Sequence, residues 1–161
     1  MAECVILIGL PGAGKTTFYT QRLSGTHLHI SKDQFPRSAR DKQSRQDAAI
    51  RAALDEGRSI AIDNTNVSAA ERADIITLAK ARSARIVGVF ILASTREAIG
   101  RNERRQGREK VPKVAIFTKA KRFEPPQMVE GFDELHAYRV SGEGAFEEVP
   151  LKSAEPNPPA S

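Results

Sequence analysis

A single cysteine among 161 residues, Cys4, leaves the chain without an internal disulfide or a cysteine metal cluster, and its place inside an apolar run marks it as a core thiol. Long apolar runs are missing as well. None approaches the roughly 18 residues that a membrane-spanning helix needs, and the start, Met1-Ala2-Glu3-Cys4-Val5, has no basic segment of the kind that opens an export signal. The expectation is an unexported, cytoplasmic protein with no membrane partner. Whole-chain disorder is excluded too, since 40% of residues are hydrophobic and 28% charged, and a chain of this length holds one domain rather than two. We read residues 1–151 as that domain and the ending 152–161, with Pro156, Pro158 and Pro159, as a disordered tail. No repeat or linker divides it.

What the chain does have is charge in an uneven arrangement. The formal net charge is +5, yet residues 96–122 hold 10 basic and 3 acidic side chains, while residues 123–161 hold 2 and 8. The basic stretch contains Arg96, Arg101, Arg104, Arg105, Arg108, Lys110, Lys113, Lys119, Lys121 and Arg122. Such density suits a segment that faces a polyanion, because the planar guanidinium matches phosphate oxygens. A solvated helix face is the plainer reading.

Apolar runs of strand length alternate with helical periodicity, the order expected of a parallel sheet with helices on both faces. Strands are expected at Cys4–Ile8, His27–Ile30, Ser59–Ile62, Arg85–Leu92, Leu135–Val140 and Ala145–Val149, the last two as a hairpin around Ser141-Gly142-Glu143-Gly144. Arg85–Leu92 is the longest run and reads as a central strand. Helices are expected from Lys15 to Ser24, from about Ala39 to Glu56 with Gly57 as terminator, and from Ser68 to Ala81. Ala69, Ala73, Ile76 and Ala79 would form the apolar stripe of the third. Ser68-Ala69-Ala70-Glu71 and Ser94-Thr95-Arg96-Glu97 both have the spacing of a capping box. The helix begun by Ser94 carries Arg101 and Arg105 on one side until Gly107 breaks it. Pro112 starts another, through Val114, Ile116 and Phe117 to Phe123.

Gly9-Leu10-Pro11-Gly12-Ala13-Gly14-Lys15-Thr16 is a complete G-x-x-x-x-G-K-[ST], set between an expected strand and an expected helix. In this P-loop the glycines let backbone N–H groups turn inward around phosphate oxygens at a helix N-terminus. Lys15 would reach the β- and γ-phosphates, and Thr16 would offer its hydroxyl to Mg²⁺. The Asn-Lys-x-Asp signature of guanine recognition does not occur, which favours ATP.

Two carboxylates are delivered to the same sheet edge. Asp63 ends Ser59-Ile60-Ala61-Ile62 and could hold Mg²⁺ through water, anchor the P-loop, or cap the Asn64-Thr65-Asn66 turn. Asp33 follows the second strand in Ser31-Lys32-Asp33, with Arg37 and Arg40 just beyond, where it could accept a proton from a hydroxyl being phosphorylated. A surface Asp at the start of the next helix is the alternative. His27, His29 and His136 read as packing or surface residues.

These residues together resemble the kinase domain of the polynucleotide 5′-hydroxyl kinases of bacteriophage and of the animal polynucleotide kinase-phosphatases. The resemblance runs from about Cys4 to Val140. It rests on the P-loop continued by Thr17-Phe18, on His29-Ile30-Ser31-Lys32-Asp33, and on Ile60-Ala61-Ile62-Asp63-Asn64-Thr65-Asn66 with Glu71-Arg72. Arg101-Asn102-Glu103-Arg104-Arg105 with Val111-Pro112, and Phe123-Glu124-Pro125-Pro126 with Glu130-Gly131-Phe132, complete it in the same order. No Asp-x-Asp-x-Thr phosphatase signature occurs, so the likeness is to the kinase alone.

The resemblance implies a P-loop α/β kinase with a basic helical lid over residues 96–122. It implies ATP held by Gly9, Pro11, Gly12, Ala13, Gly14, Lys15, Thr16 and Thr17, with Mg²⁺ at Thr16 and Asp63. Asp33 would be the general base, Asp63 and Asn66 would organise the site, and Arg101 and Arg105 would clamp the ATP phosphates. The acceptor would be a 5′-hydroxyl DNA or RNA end in nucleic-acid repair, with a ligase or phosphatase as partner. Two departures bear on the acceptor: Lys32 stands where the family commonly has Arg, and Pro36 stands where the phage type has its acceptor-phosphate arginine. Arg37 or Arg40 would substitute. The rivals are a small-molecule kinase and a non-catalytic ATP-dependent nucleic-acid-binding module.

Overall fold

The computed structural model describes residues 1–105, 110–141 and 144–151. Gly107 and Arg108, the Gly142-Glu143 pair and the expected tail 152–161 lie outside the described residues. Strands β1 (Glu3–Ile8), β2 (Leu28–Ile30), β3 (Ile60–Asp63), β4 (Arg85–Leu92), β5 (Glu134–Ser141) and β6 (Ala145–Val149) form one sheet in the order β2-β3-β1-β4-β5-β6. All neighbours are parallel except β5 and β6, which make the expected antiparallel hairpin. The helices are α1 (Lys15–Arg22), α2 (Lys42–Asp55), α3 (Ala69–Lys80), α4 (Thr95–Asn102) and α5 (Lys113–Arg122).

Side chains alternate across a strand, and β1 therefore feeds two cores. Cys4, Ile6 and Ile8 join Ile60, Ile62 and Ile86 beneath Ile50, Ala53 and Leu54 of α2 and Ile75, Ile76 and Ala79 of α3. Val5 and Leu7 point the other way, with Val87, Val89 and Ile91 against Phe18 of α1 and Phe146 of β6. Helices thus cover both faces, and β4 lies between β1 and β5 as its apolar run requires. Burial pushes the Cys4 thiol up to about 12, helped by the charge of Glu3, so it is an inert core group.

Both capping-box sequences open helices where expected, but only Ser94 and Glu97 exchange reciprocal bonds; Ser68 Oγ accepts from Glu71 N, while the Glu71 carboxylate accepts from Val67 N rather than from Ser68 N. Elsewhere the expectations need correction. The second helix begins at Lys42, not Ala39, because Pro36–Ala39 close a turn (Ala39 N to Pro36 O, 2.8 Å) and Asp41 takes a left-handed φ of 58°. In α3 the buried face is Arg72, Ile75, Ile76 and Ala79, and Ala73 is exposed. In α5 only Ile116 is buried, against Leu10 and Ala98, while Val114 and Phe117 face solvent. The helix begun by Ser94 stops at Asn102, so Arg105 is not on it.

The loops after β1, β2 and β3 leave the carboxyl edge of the parallel sheet, on the side where open α/β sheets bind ligands.

Candidate active site

The P-loop bends through two left-handed glycines, Gly12 (φ 86°) and Gly14 (φ 112°). A Cβ on Gly12 would stand 2.5 Å from the Ala98 carbonyl oxygen, so α4 rests directly on the loop. Gly9 N donates to Thr65 O at 3.1 Å and ties the loop to the turn after β3. Lys15 is buried, and its Nζ donates to Gly9 O and Leu10 O, both at 2.9 Å. Burial pushes its ammonium down to about 8; the charges of Arg105 and Lys119 deepen the depression, and Asp63 and Asp33 oppose it.

Asp63, at the end of β3, receives two donors on Oδ2. Thr16 Oγ1 donates at 2.7 Å, and His29 Nε2 lies at 2.8 Å. The amide Nε2 of Gln34 lies 3.1 Å from His29 Nδ1 and makes that nitrogen the acceptor, so Nε2 carries the proton and donates to Asp63. Burial alone would raise the Asp63 carboxyl, but the bonds from His29 and Thr16 and the Lys15 charge outweigh it and hold the group below the ordinary carboxylate range. The carboxylate and hydroxyl are adjacent hard oxygens, and they fit Mg²⁺, which takes one or two protein ligands and completes its shell with water and substrate phosphate.

Asp33 sits on a short 3₁₀ turn, Lys32–Gln34, directly after β2. Ser31 Oγ accepts from Asp33 N, and Gln34 Oε1 accepts from Ser31 N. Asn64 Oδ1 takes the Lys32 N–H at 3.0 Å, and its Nδ2 donates to Gln46 Oε1 at 2.6 Å. Gln46 is buried on α2, so a core amide holds the turn in place through Asn64 while the Asp33 side chain stays exposed. On the other side Asn66, at φ 49°, donates from Nδ2 to Leu7 O at 2.8 Å. The fully buried Arg72 donates to Asn66 O and, from Nε and Nη2, to both carboxylate oxygens of Glu130.

One cavity of about 730 Å³ gathers Pro11, Gly12, Lys15, Thr16, Thr17, Asp33, Asp63, Asn66 and Arg105. Gly9, Ala13 and Gly14 belong to the same loop but are not among the lining residues. Arg101 is turned away from it: its Nη1 donates to Ala13 O at 3.0 Å and to Gly12 O at 3.4 Å, which places it on the carbonyl side of the P-loop. Arg37 and Arg40 are exposed and do not line the cavity. The sequence reading gives no role to five residues that belong to the arrangement. His29 reads as packing or surface, since nothing in its spacing announces a bond to Asp63, and Arg72 and Glu130 lie in recognised stretches without a role. Lys119 was one of ten basic residues, and no signal singled out Gln46.

Comparison with known proteins agrees with this geometry. A protein of Acanthamoeba polyphaga mimivirus, provisionally named a bifunctional polynucleotide phosphatase/kinase, is 31% identical over 140 residues, which are 83% of this chain and 32% of that protein. The chain therefore spans about a third of the length of this curated relative, and the resemblance drawn from the motifs is borne out by it. Among solved structures, a fungal RNA kinase superposes with a TM-score of 0.67 at 18% identity, over 88% of this chain and 39% of that one. A gluconokinase from Sinorhizobium meliloti 1021 does so at 0.63 and 18% identity, over 94% and 86%. Both share the kinase-like P-loop fold. No helix among the described residues is long and apolar enough to cross a membrane. The sequence profile of the AAA domain family matches residues 4–126, and the chain belongs to that family.

Proposed function

We propose that the chain transfers the γ-phosphate of ATP to the 5′-hydroxyl end of a polynucleotide. The observation that carries the reading is one cavity lined by Lys15 and Thr16 of the P-loop together with Asp33, with Arg105 at its wall. The mimivirus relative and the fungal RNA kinase support the choice of acceptor, and so does the basic stretch over residues 96–122.

In this reading the P-loop N–H groups and the α1 N-terminus cradle the β- and γ-phosphates. Lys15 exchanges its carbonyl partners for phosphate oxygens, which restores the charge balance that burial disturbs. Mg²⁺ at Thr16 and Asp63 would neutralise phosphate charge. Asp33 takes the proton of the 5′-hydroxyl as that oxygen bonds to the γ-phosphorus in line with the departing ADP oxygen. Arg105 supplies cationic stabilisation as charge spreads over the transferred group. Arg101 acts from behind, fixing the loop's carbonyl side through Gly12 and Ala13. The test is transfer of label from γ-labelled ATP to 5′-hydroxyl DNA, 5′-hydroxyl RNA and a panel of small alcohols. Label on a polynucleotide end supports the reading, and label on a small alcohol alone overturns it.

A second reading, a small-molecule kinase, draws on the near full-length match to the gluconokinase fold and on the amide-rich wall of Gln34, Gln43, Gln46 and Asn64, which suits sugar hydroxyls. The same panel separates the two.

A further inference from the structure

Asn102 is the last residue of α4 and is fully buried, although the residues on either side of it, Arg101 and Glu103, are charged. Its side chain bonds both main-chain groups of a single residue: Nδ2 donates to Val111 O at 2.6 Å, and Oδ1 accepts from Val111 N at 2.8 Å. Its own carbonyl accepts from Arg105 N at 3.0 Å. One asparagine therefore ties the end of α4 to Arg105 and to Val111, and both of these line the cavity. Val111 leads through Pro112 into α5. Among side chains of this size only the amide can do both: a carboxylate of the same shape accepts but does not donate, and a leucine does neither. In a fully buried position a lost bond also leaves its partner unsatisfied.

The rest of α4 is fixed on the P-loop. The Ala98 carbonyl packs against Gly12, and Arg101 Nη1 donates to the carbonyls of Ala13 and Gly12. Ala98 also shares an apolar cluster with Leu10 of the loop and Ile116 of α5, and Val111 packs against it. A continuous series of contacts thus runs from the phosphate cradle along α4 to Asn102, and from Asn102 to Arg105. Arg105 has left the helix, so its distance from the cradle is set by what holds the turn after Asn102. Glu103 also reaches across this stretch, to Lys110 and Lys113 at 3.5 and 3.6 Å, but all three side chains are exposed and such pairs contribute little. Resting on the catalytic role proposed above for Arg105, we propose that Asn102 is a positioning residue for phosphoryl transfer: by tying Arg105 and Val111 to the end of α4, it fixes Arg105 where the transferred group passes.

Asn102→Leu keeps the volume and removes both side-chain bonds. With γ-labelled ATP and a 5′-hydroxyl oligonucleotide, well below the melting transition, its kcat should fall by about ten- to a hundredfold, the cost of a misplacement of about 1 Å. KM for ATP should stay close to wild type, because the P-loop contacts are untouched. The decisive readout is coupling to Arg105. In an Arg105→Ala background, Asn102→Leu should cost little further kcat, since no guanidinium is left to misplace. A purely structural asparagine would lower the melting temperature and leave kcat per folded molecule alone, or would lower kcat by the same factor in both backgrounds. Either result overturns the inference. Glu103→Gln should leave kcat near wild type, and a loss matching that of Asn102→Leu would move the role to the ion pairs and overturn it as well. Asn102→Asp still accepts from Val111 N but, ionised, cannot donate to Val111 O, and it should show the same coupling. If neither variant folds, Asn102 is a structural residue and the inference falls. If Arg105→Ala alone leaves kcat unchanged, the role of Arg105 falls and the inference with it; if Arg105→Ala loses kcat and Asn102→Leu does not, the inference falls alone. Label on a small alcohol only overturns the polynucleotide reading, and the same cycle on that alcohol then decides the role of Asn102. Wild-type protein that labels no acceptor removes the function and the inference together.

Discussion

Burying a lysine against carbonyl oxygens costs stability where no carboxylate bonds to it, and among the described residues Lys15 is in that position. Its pKa falls from 10.5 to about 8, a cost on the order of 3 kcal/mol. The sign follows from proton binding. Between about 8 and 10.5 the unfolded chain holds the Lys15 proton more tightly than the folded one, so stability rises with pH across that window. Lys15→Met lacks this dependence. The variant should be more stable than wild type at pH 7, with the gap closing toward pH 10.5, and it should have no measurable phosphoryl transfer. Urea unfolding at several pH values reads the first outcome, and a variant less stable at pH 7 with an unchanged gap would contradict it. Asp33 is the opposite case, an exposed carboxylate on a turn held by other residues. Asp33→Asn should lower kcat by roughly two to four orders of magnitude, the worth of a positioned general base, and leave the melting temperature near wild type. An Asp that only opened the turn would show the reverse.

Elements position these side chains through bonds that cross between them, and the strongest crossing is Arg72 of α3 to Glu130 before β5. Removing one partner of a buried ion pair typically costs 3–5 kcal/mol, whereas replacing both with apolar groups is often nearly neutral. Arg72→Leu should therefore destabilise strongly, and Arg72→Leu with Glu130→Leu should recover most of the loss in chemical denaturation. Asn66 O loses its donor in both variants, so turnover should stay impaired even where stability returns. At this scale the sequence is a good guide to strands and helix starts. Apolar runs place β1 and β4, Ser-x-x-Glu spacing places α3 and α4, and strand ends place Asp63 and Asp33 on one edge. It is a poor guide to lateral order, because pairing β1 with both β3 and β4 is a tertiary outcome with no local pattern. The same reason hides Gln46 and Lys119, whose value lies in what faces them across a gap. Arg101 was legible as a site residue, but its turn toward the P-loop carbonyls depends on α4 crossing Gly12, a contact that no spacing announces.

On the scale of the whole chain, the cations of residues 96–122 precede the acidic stretch 123–161 in sequence, and α5 brings Lys119 of the basic stretch to the cavity wall. Ion pairs temper this field unequally. Arg96, Arg104 and Lys121 are exposed and make no ion pair among the described residues, whereas Lys113 is engaged by Glu103. Exposed pairs are weak, about 0–1 kcal/mol, yet a paired cation releases fewer counterions from an incoming polyanion than an unpaired one. If a polynucleotide runs over this face, Arg104→Ala and Lys121→Ala should each lower the salt slope of KM for a single-stranded oligonucleotide by about 0.7. Lys113→Ala should lower it by less, and kcat should stay near wild type in all three. A mononucleotide acceptor is too short to reach these residues, so its KM should not respond to any of the substitutions. Arg105→Ala, within the cavity, should instead reduce kcat for long and short acceptors alike, by up to roughly three orders of magnitude or more as removal of a transition-state arginine does. Kinetics of the four variants at several salt concentrations separate a backbone-binding face from a catalytic lid. Equal effects of the three surface substitutions on mononucleotide and oligonucleotide would mean that the field acts on ATP rather than on the acceptor.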